Sequence, residues 1–107
     1  MKTFLEVAEQ VAAALLHDCT DVSILRGVEM NDVESLRIHF GITRNRWNRS
    51  QKFVVLRAWI GPDTHVHMSF TGSEVPHAST VVPFAGQQRP LGEFRKFVGL
   101  ALDASRG

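Results

Sequence analysis

Tyrosine is missing altogether, and cysteine occurs once, at Cys19, in a chain of 107 residues. A lone cysteine closes no disulfide within the chain, so an oxidising compartment would bring this fold no covalent support, and an intracellular, cytoplasmic protein is expected. No run approaches about 18 consecutive apolar residues, so no membrane-spanning helix is expected. The opening Met1-Lys2-Thr3-Phe4-Leu5-Glu6 acquires an acid too early for a secretory signal. Charge of one sign is not in excess either. Twelve Lys and Arg against 11 Asp and Glu leave a formal +1, which argues against attraction of the whole molecule to polyanions. Any basic site must therefore be local. Repeats and low-complexity tracts are also absent, and 44% hydrophobic residues exclude disorder as the main state. The length suits one domain, residues 1–107, burying roughly 60–70% of the surface its unfolded form exposes.

What is present reads as helix, strands, helix. Thr3 and Glu6 have the T-x-x-E spacing of a helix start, and Phe4, Ala8, Val11 and Leu15, with Leu5, Ala12 and Leu16, recur at helical steps through about residue 17. His17 near that helix end suits the dipole. From Val22 the period changes to two. Val22, Ile24 and Val28 suggest a first strand, with Leu25 and Gly27 leaving its buried face open, and Met30-Asn31-Asp32-Val33 reads as a turn. Leu36, Ile38, Phe40 and Ile42 then alternate with Ser35, Arg37, His39 and Gly41, the pattern of an antiparallel strand covered on one side. Val54, Leu56, Ala58 and Ile60 form the inward set of a third strand, ended by Gly61-Pro62-Asp63, and Thr64, Val66, Met68 and Phe70 that of a fourth. Residues 72–80 have the composition of a surface loop. Val81-Val82-Pro83-Phe84 is a candidate edge strand, since proline is tolerated there. A last helix over about 90–103 starts near Pro90 and carries Leu91, Phe94, Val98, Ala101 and Leu102 on one stripe. The expected fold is a single α+β domain: a four- or five-stranded antiparallel sheet with N- and C-terminal helices on one face.

That arrangement leaves the other face open. If residues 60 and 64 pair across a three-residue turn, Trp59 lies opposite His65 and Arg57 opposite His67, with Phe53 and Val55 further along. Exposed Trp, Phe and Val among basic groups compose an interaction surface. A terminal segment or a second copy covering this face is the plainer account of the same pattern.

Charge is segregated along the chain. Residues 35–62 hold Arg37, Arg44, Arg46, Arg49, Lys52 and Arg57 and no acid, whereas the first 34 residues hold seven acids against Lys2 and Arg26. The densest part is Thr43-Arg44-Asn45-Arg46-Trp47-Asn48-Arg49-Ser50-Gln51-Lys52, a connection between strands. Arginine makes planar, bidentate contacts to phosphate or carboxylate, and Trp47 offers a stacking face. Solvation alone accounts for arginine and asparagine in a long loop, but not for an indole.

His65-Val66-His67 puts two imidazoles on one strand face, about 7 Å apart at their Cα atoms. This element resembles the metal-binding motif of the HUH single-strand nicking enzymes. That family attacks phosphate with a tyrosine, and this chain has none, so the resemblance implies no nicking. His67-Met68-Ser69-Phe70 is similar to half of the two-histidine phosphoesterase signature, whose second half has only His77-Ala78-Ser79-Thr80 as a counterpart here. No carboxylate is expected beside the pair on that face, so an oriented acid–base couple is lacking. Ser50, Ser69 and Ser73 sit in no nucleophile elbow, and Gly72, Gly86 and Gly92 form no phosphate cradle. Neither a catalytic residue nor a cofactor is assigned.

The leading expectation is a non-enzymatic module that docks an anionic partner, a nucleic acid or nucleoprotein, through Arg44, Arg46, Trp47, Arg49 and Lys52, with Arg57 and Trp59 extending the surface over the open sheet. The alternative is a protein–protein module: a homodimer through the open face or an edge strand, or a compact inhibitor or adaptor of the kind phages and mobile elements encode, its arginines meeting acidic side chains. A third is a metal-dependent phosphodiester enzyme using His65 and His67.

Overall fold

The Thr3 hydroxyl accepts the Glu6 N–H at 3.3 Å, and the helix opened by this cap, α1, spans Phe4–Leu15 in the computed structural model. The structure describes residues 3–28, 33–43, 51–73, 75–86 and 88–106. Five strands follow the helix: β1 (Thr20–Val28), β2 (Glu34–Thr43), β3 (Gln51–Ile60), β4 (His65–Gly72) and β5 (Val75–Pro83). The second helix, α2, spans Gln88–Arg106. Each strand pairs antiparallel with its sequence neighbour, so the sheet order is β1-β2-β3-β4-β5. Both helices cover the same face, the α+β layering expected from the sequence. No helix among the described residues is long and apolar enough to cross a membrane.

The core lies between the layers and is built from alternate strand positions. Leu36, Ile38 and Phe40 face the helices from β2, Val54, Leu56 and Ala58 from β3, and Val66, Met68 and Phe70 from β4, all buried. Cross-strand pairing stacks these rows, with Ile38 opposite Leu56 and Leu56 opposite Phe70. From above, α1 contributes Phe4, Leu5, Ala8 and Ala12, and α2 contributes Phe94, Phe97, Val98 and Ala101. Phe4 meets Phe84 and Phe94 edge to face at 5.7 and 6.5 Å between ring centroids, the arrangement favoured by ring quadrupoles. Each such side chain contributes roughly 1.5–3 kcal/mol by leaving water.

Four sequence expectations need correction, and the buried face of β1, left open by the sequence, is settled by its pairing. Residues 75–80 are not a loop but the first part of β5, which runs nine residues to Pro83. Only Val75 and Val82 of this edge strand are buried, so it carries the Pro, His, Ser and Thr of a turn. On β1, Ile24 and Arg26 share the helix side with Ile38 and Leu36, and Arg26 reaches α1, its Nε 2.7 Å from Glu9 and its Nη1 3.6 Å from Glu6. An arginine on the covered side and an exposed Leu25 on the other obscured the period. Thr64 is not inward: it is an exposed turn residue with φ of 58°. The β3–β4 register also differs, placing Trp59 opposite His67 and Arg57 opposite Ser69. The second helix starts at Gln88, two residues early, and Pro90 fits its third position because the first four helical N–H groups lack intrahelical acceptors.

Candidate functional site

Odd-numbered residues of the three central strands point away from the helices and build the open face. One row crosses the sheet as Leu25, Arg37, Arg57, Ser69 and Ser79. Its neighbour runs Gly27, Ser35, Trp59, His67 and Val81, and a third contains Ser23, His39, Val55 and Thr71. No Asp or Glu occupies this face on β2, β3 or β4. Arg37 and Arg57 stand directly opposite each other. Around them Leu25, Phe53 and Val81 are each about half exposed, at 58%, 49% and 52%.

At one end of this face the side chains form a connected chain of contacts. The Arg57 guanidinium carbon lies 5.2 Å from the Trp59 ring centroid, within cation–π range. The indole stacks on the His67 imidazole, 5.3 Å between centroids and 10° from parallel. His67 Nε2 lies 3.2 Å from Asp63 Oδ1, which makes Nε2–H the donor to the carboxylate. The same oxygen accepts the His65 backbone N–H at 3.3 Å, and His65 Nδ1 lies 2.8 Å from the Asp63 carbonyl oxygen.

This carboxylate corrects the expectation that no acid stands beside the histidine pair. It is delivered by the turn. Thr64 N–H donates to the Gly61 carbonyl at 3.1 Å and Gly61 N–H to the His65 carbonyl at 2.9 Å, a three-residue hairpin loop ending in the left-handed Thr64. The loop turns Asp63 back over the strand. Gly61 supplies the room, because a Cβ there would stand 2.7 Å from Asp63 Oδ1 and 2.9 Å from His67 Nε2. Asp63 and Gly61 are the residues that sequence reasoning missed, and the available signal was Gly-Pro-Asp with the acid four residues before His67. The hydrogen bond from His67 is the main reason the Asp63 carboxyl is held below the usual aspartate range; partial desolvation opposes it, and the His65 backbone N–H and both imidazole charges assist.

Among the described residues no three His, Cys, Asp or Glu side chains converge as a metal site. Instead, His65 and His67 direct ring nitrogens at the Asp63 carbonyl and carboxylate respectively.

The other anticipated site residues separate into two groups. Arg57 and Trp59 lie together on the open face as described. Arg44, Arg46, Trp47 and Arg49 fall outside the described residues, as does the side chain of Lys52, whose backbone pairs with Ile42. The loop's anchors, Thr43 and Gln51, are at the far end of β3 from Trp59, about 26 Å away at 3.3 Å per residue. The loop's anchors and the aromatic cluster therefore lie at opposite ends of β3, with Phe53 and Val55 between them. No protein-family model, curated protein or solved structure matches this chain.

Proposed function

We propose that the protein is a binding module whose partner is a nucleic acid, engaged along β3 from the arginine-rich segment 43–52 to Arg57 and Trp59. The observation that carries this reading is the open face, whose positions on β2, β3 and β4 hold no acid and on which Arg37 and Arg57 are juxtaposed beside planar side chains at Phe53, Trp59 and His67; the carboxylate beside it, Asp63 from the turn, is bonded to His67. Guanidinium groups meet phosphates, and ring faces accept unstacked bases whatever their sequence. A strand-like track over 20 Å long suits a single-stranded segment better than a point ligand.

The test is anisotropy of labelled single- and double-stranded oligonucleotides against the full chain over a range of salt. Tight binding at low salt with a steep negative slope in log salt is expected. Arg44, Arg46 and Arg49 replaced together by Ala should flatten that slope by about two to three units. Trp59→Ala should weaken binding by about 1–3 kcal/mol with a smaller change in slope. Absence of oligonucleotide binding at low salt, or a slope unchanged in the triple variant, overturns the reading; binding instead to an acidic protein with losses concentrated in one or two arginines would replace it.

A further inference from the structure

We infer that the β1 edge is a self-association strand: two copies pair β1 with β1 antiparallel, centred on Leu25, merging two five-stranded sheets into one of ten strands. The two edges of this sheet are built differently. β5 carries Pro76 and Pro83, which remove hydrogen-bond donors and discourage further pairing. β1 carries neither proline nor lysine, and it holds three of the six exposed large apolar residues among those described, Val22, Leu25 and Val28. Its one basic residue, Arg26, is drawn onto α1 by Glu6 and Glu9. The one acid of β1, Asp21, stands at its start with φ of 55°, where the register on β2 shifts between Thr20 and Ser23; from Ser23 to Val28 the strand pairs regularly with β2 and carries no charge beyond the paired Arg26.

The spacing of those three residues identifies the occupant. Val22 and Val28 lie three positions either side of Leu25, so the pattern reads the same in both directions. Antiparallel pairing about a twofold axis through Leu25, perpendicular to the sheet, sets Leu25 against Leu25 of the second copy and Val22 against Val28 in both directions. Sliding the copies by one pairing step ruins the match. One direction puts Arg26 opposite itself, and the other puts Val22 opposite Arg26 and Leu25 opposite Ser23. Grooves lie where the incoming side chains arrive, one of about 340 Å³ along Leu25, Gly27, Ser35 and Arg37 and one of about 200 Å³ along Val28, Glu34 and Leu5. Gly27 leaves open space around its Cα. Association through the open faces would instead set each Arg37 and Arg57 patch against its own copy. With the axis perpendicular to the sheet, both open faces look the same way, and two arginine–aromatic tracks lie side by side.

Cysteine cross-linking reads the register directly. In a Cys19→Ser background, Leu25→Cys should oxidise to a covalent dimer, because a residue opposite itself has a Cα separation of about 4.5–5.5 Å, within disulfide range. Ser23→Cys should not, because it faces Gly27 of the second copy and lies about 13 Å from its own counterpart. By sedimentation, the unmodified chain should be dimeric, Leu25→Lys should weaken the dimer by about tenfold or more, and Val81→Lys on the open face should leave it intact. A monomer at every soluble concentration, equal cross-linking at positions 23 and 25, or a Leu25→Lys variant that remains as dimeric as the unmodified chain overturns the proposal.

Discussion

Replacing Gly72 and Gly99 by alanine adds the same methyl group to the chain and should move stability in opposite directions. Gly72 pairs with Val54 where β4 approaches β3. A Cβ there would fall onto the carbonyl oxygen of Phe53, far inside any permitted contact, and within 3.1 Å of the Phe53 carbonyl carbon and the Val54 Cα. All three obstacles are backbone, so no rotamer change relieves them, and the strands must separate locally. That separation strains the Ser73 N–H bond to the Phe53 carbonyl at 3.1 Å and the Phe53 N–H bond to the Ser73 hydroxyl at 3.2 Å. Overpacking costs about 1–3 kcal/mol and each lost hydrogen bond about 1 kcal/mol, which together come to about 4 kcal/mol. With an unfolding entropy of about 2.1 cal/mol/K per residue over the whole chain, 1 kcal/mol corresponds to about 4–5 °C, so Gly72→Ala should melt about 18 °C below the parent. Gly99, in α2, has nothing within 4 Å of such a methyl. There alanine gains about 0.8–1.0 kcal/mol of helix propensity, and the melting point should rise by about 4 °C. Differential scanning calorimetry of the two variants and the parent decides the matter. A Gly72→Ala protein melting within a few degrees of the parent would refute the close approach of β4 to β3, and with it the register that sets His67 on Trp59.

Two further outcomes test the core and the turn. Leu56, fully buried between Ile38 and Phe70, should lose about 2–5 kcal/mol on replacement by alanine, measured by urea denaturation; a loss under 1 kcal/mol would contradict the assigned core face. A carboxyl whose folded-state pKa is depressed contributes stability that is present above the ordinary aspartate range and lost as pH falls through the folded value, so the Asp63 contribution is present at neutral pH and disappears in acid. In NMR titrations the Asp63 carboxyl should titrate below 3.8 in the parent and move back toward it in both His67→Ala and Gly61→Ala, and an unchanged midpoint in either would refute the Gly61-gated contact.

How much of this was legible in the sequence depended on how evenly each strand is covered. β2 reads correctly because Leu36, Ile38 and Phe40 are buried while Arg37 and His39 alternate on the wet side. β1 does not, because α1 reaches its covered side with carboxylates rather than apolar groups, so an arginine belongs there and a leucine is left outside. The first part of β5 escaped because an edge strand with two buried residues has the composition of a loop, although Val81-Val82-Pro83 at its end was legible as an edge strand. Within the candidate site, Arg57 and Trp59 were legible as outward residues of a well-alternating strand. Their partners were not. The Trp59–His67 stack depends on a register set by the left-handed Thr64, which occupies a position where glycine would have announced the turn type. Asp63 joins the cluster only because the chain folds back there, which alternation cannot express.

The meander has a kinetic corollary. Every strand pairs with the one made just before it, so loop closure costs little at each step. During synthesis the sheet can lengthen from β1 onward by hairpins, without awaiting a distant segment. Its apolar side cannot be finished in the same way. Val66, Met68, Phe70 and Val82 belong to the half of the sheet beneath α2, whose 19 residues follow all five strands. Phe4 waits longest, because its ring contacts Phe84 and Phe94 come from the far end of the chain. Until α2 docks, the nascent chain carries a nearly complete sheet with half its greasy side uncovered, and this is the stage at which a chaperone would find something to hold.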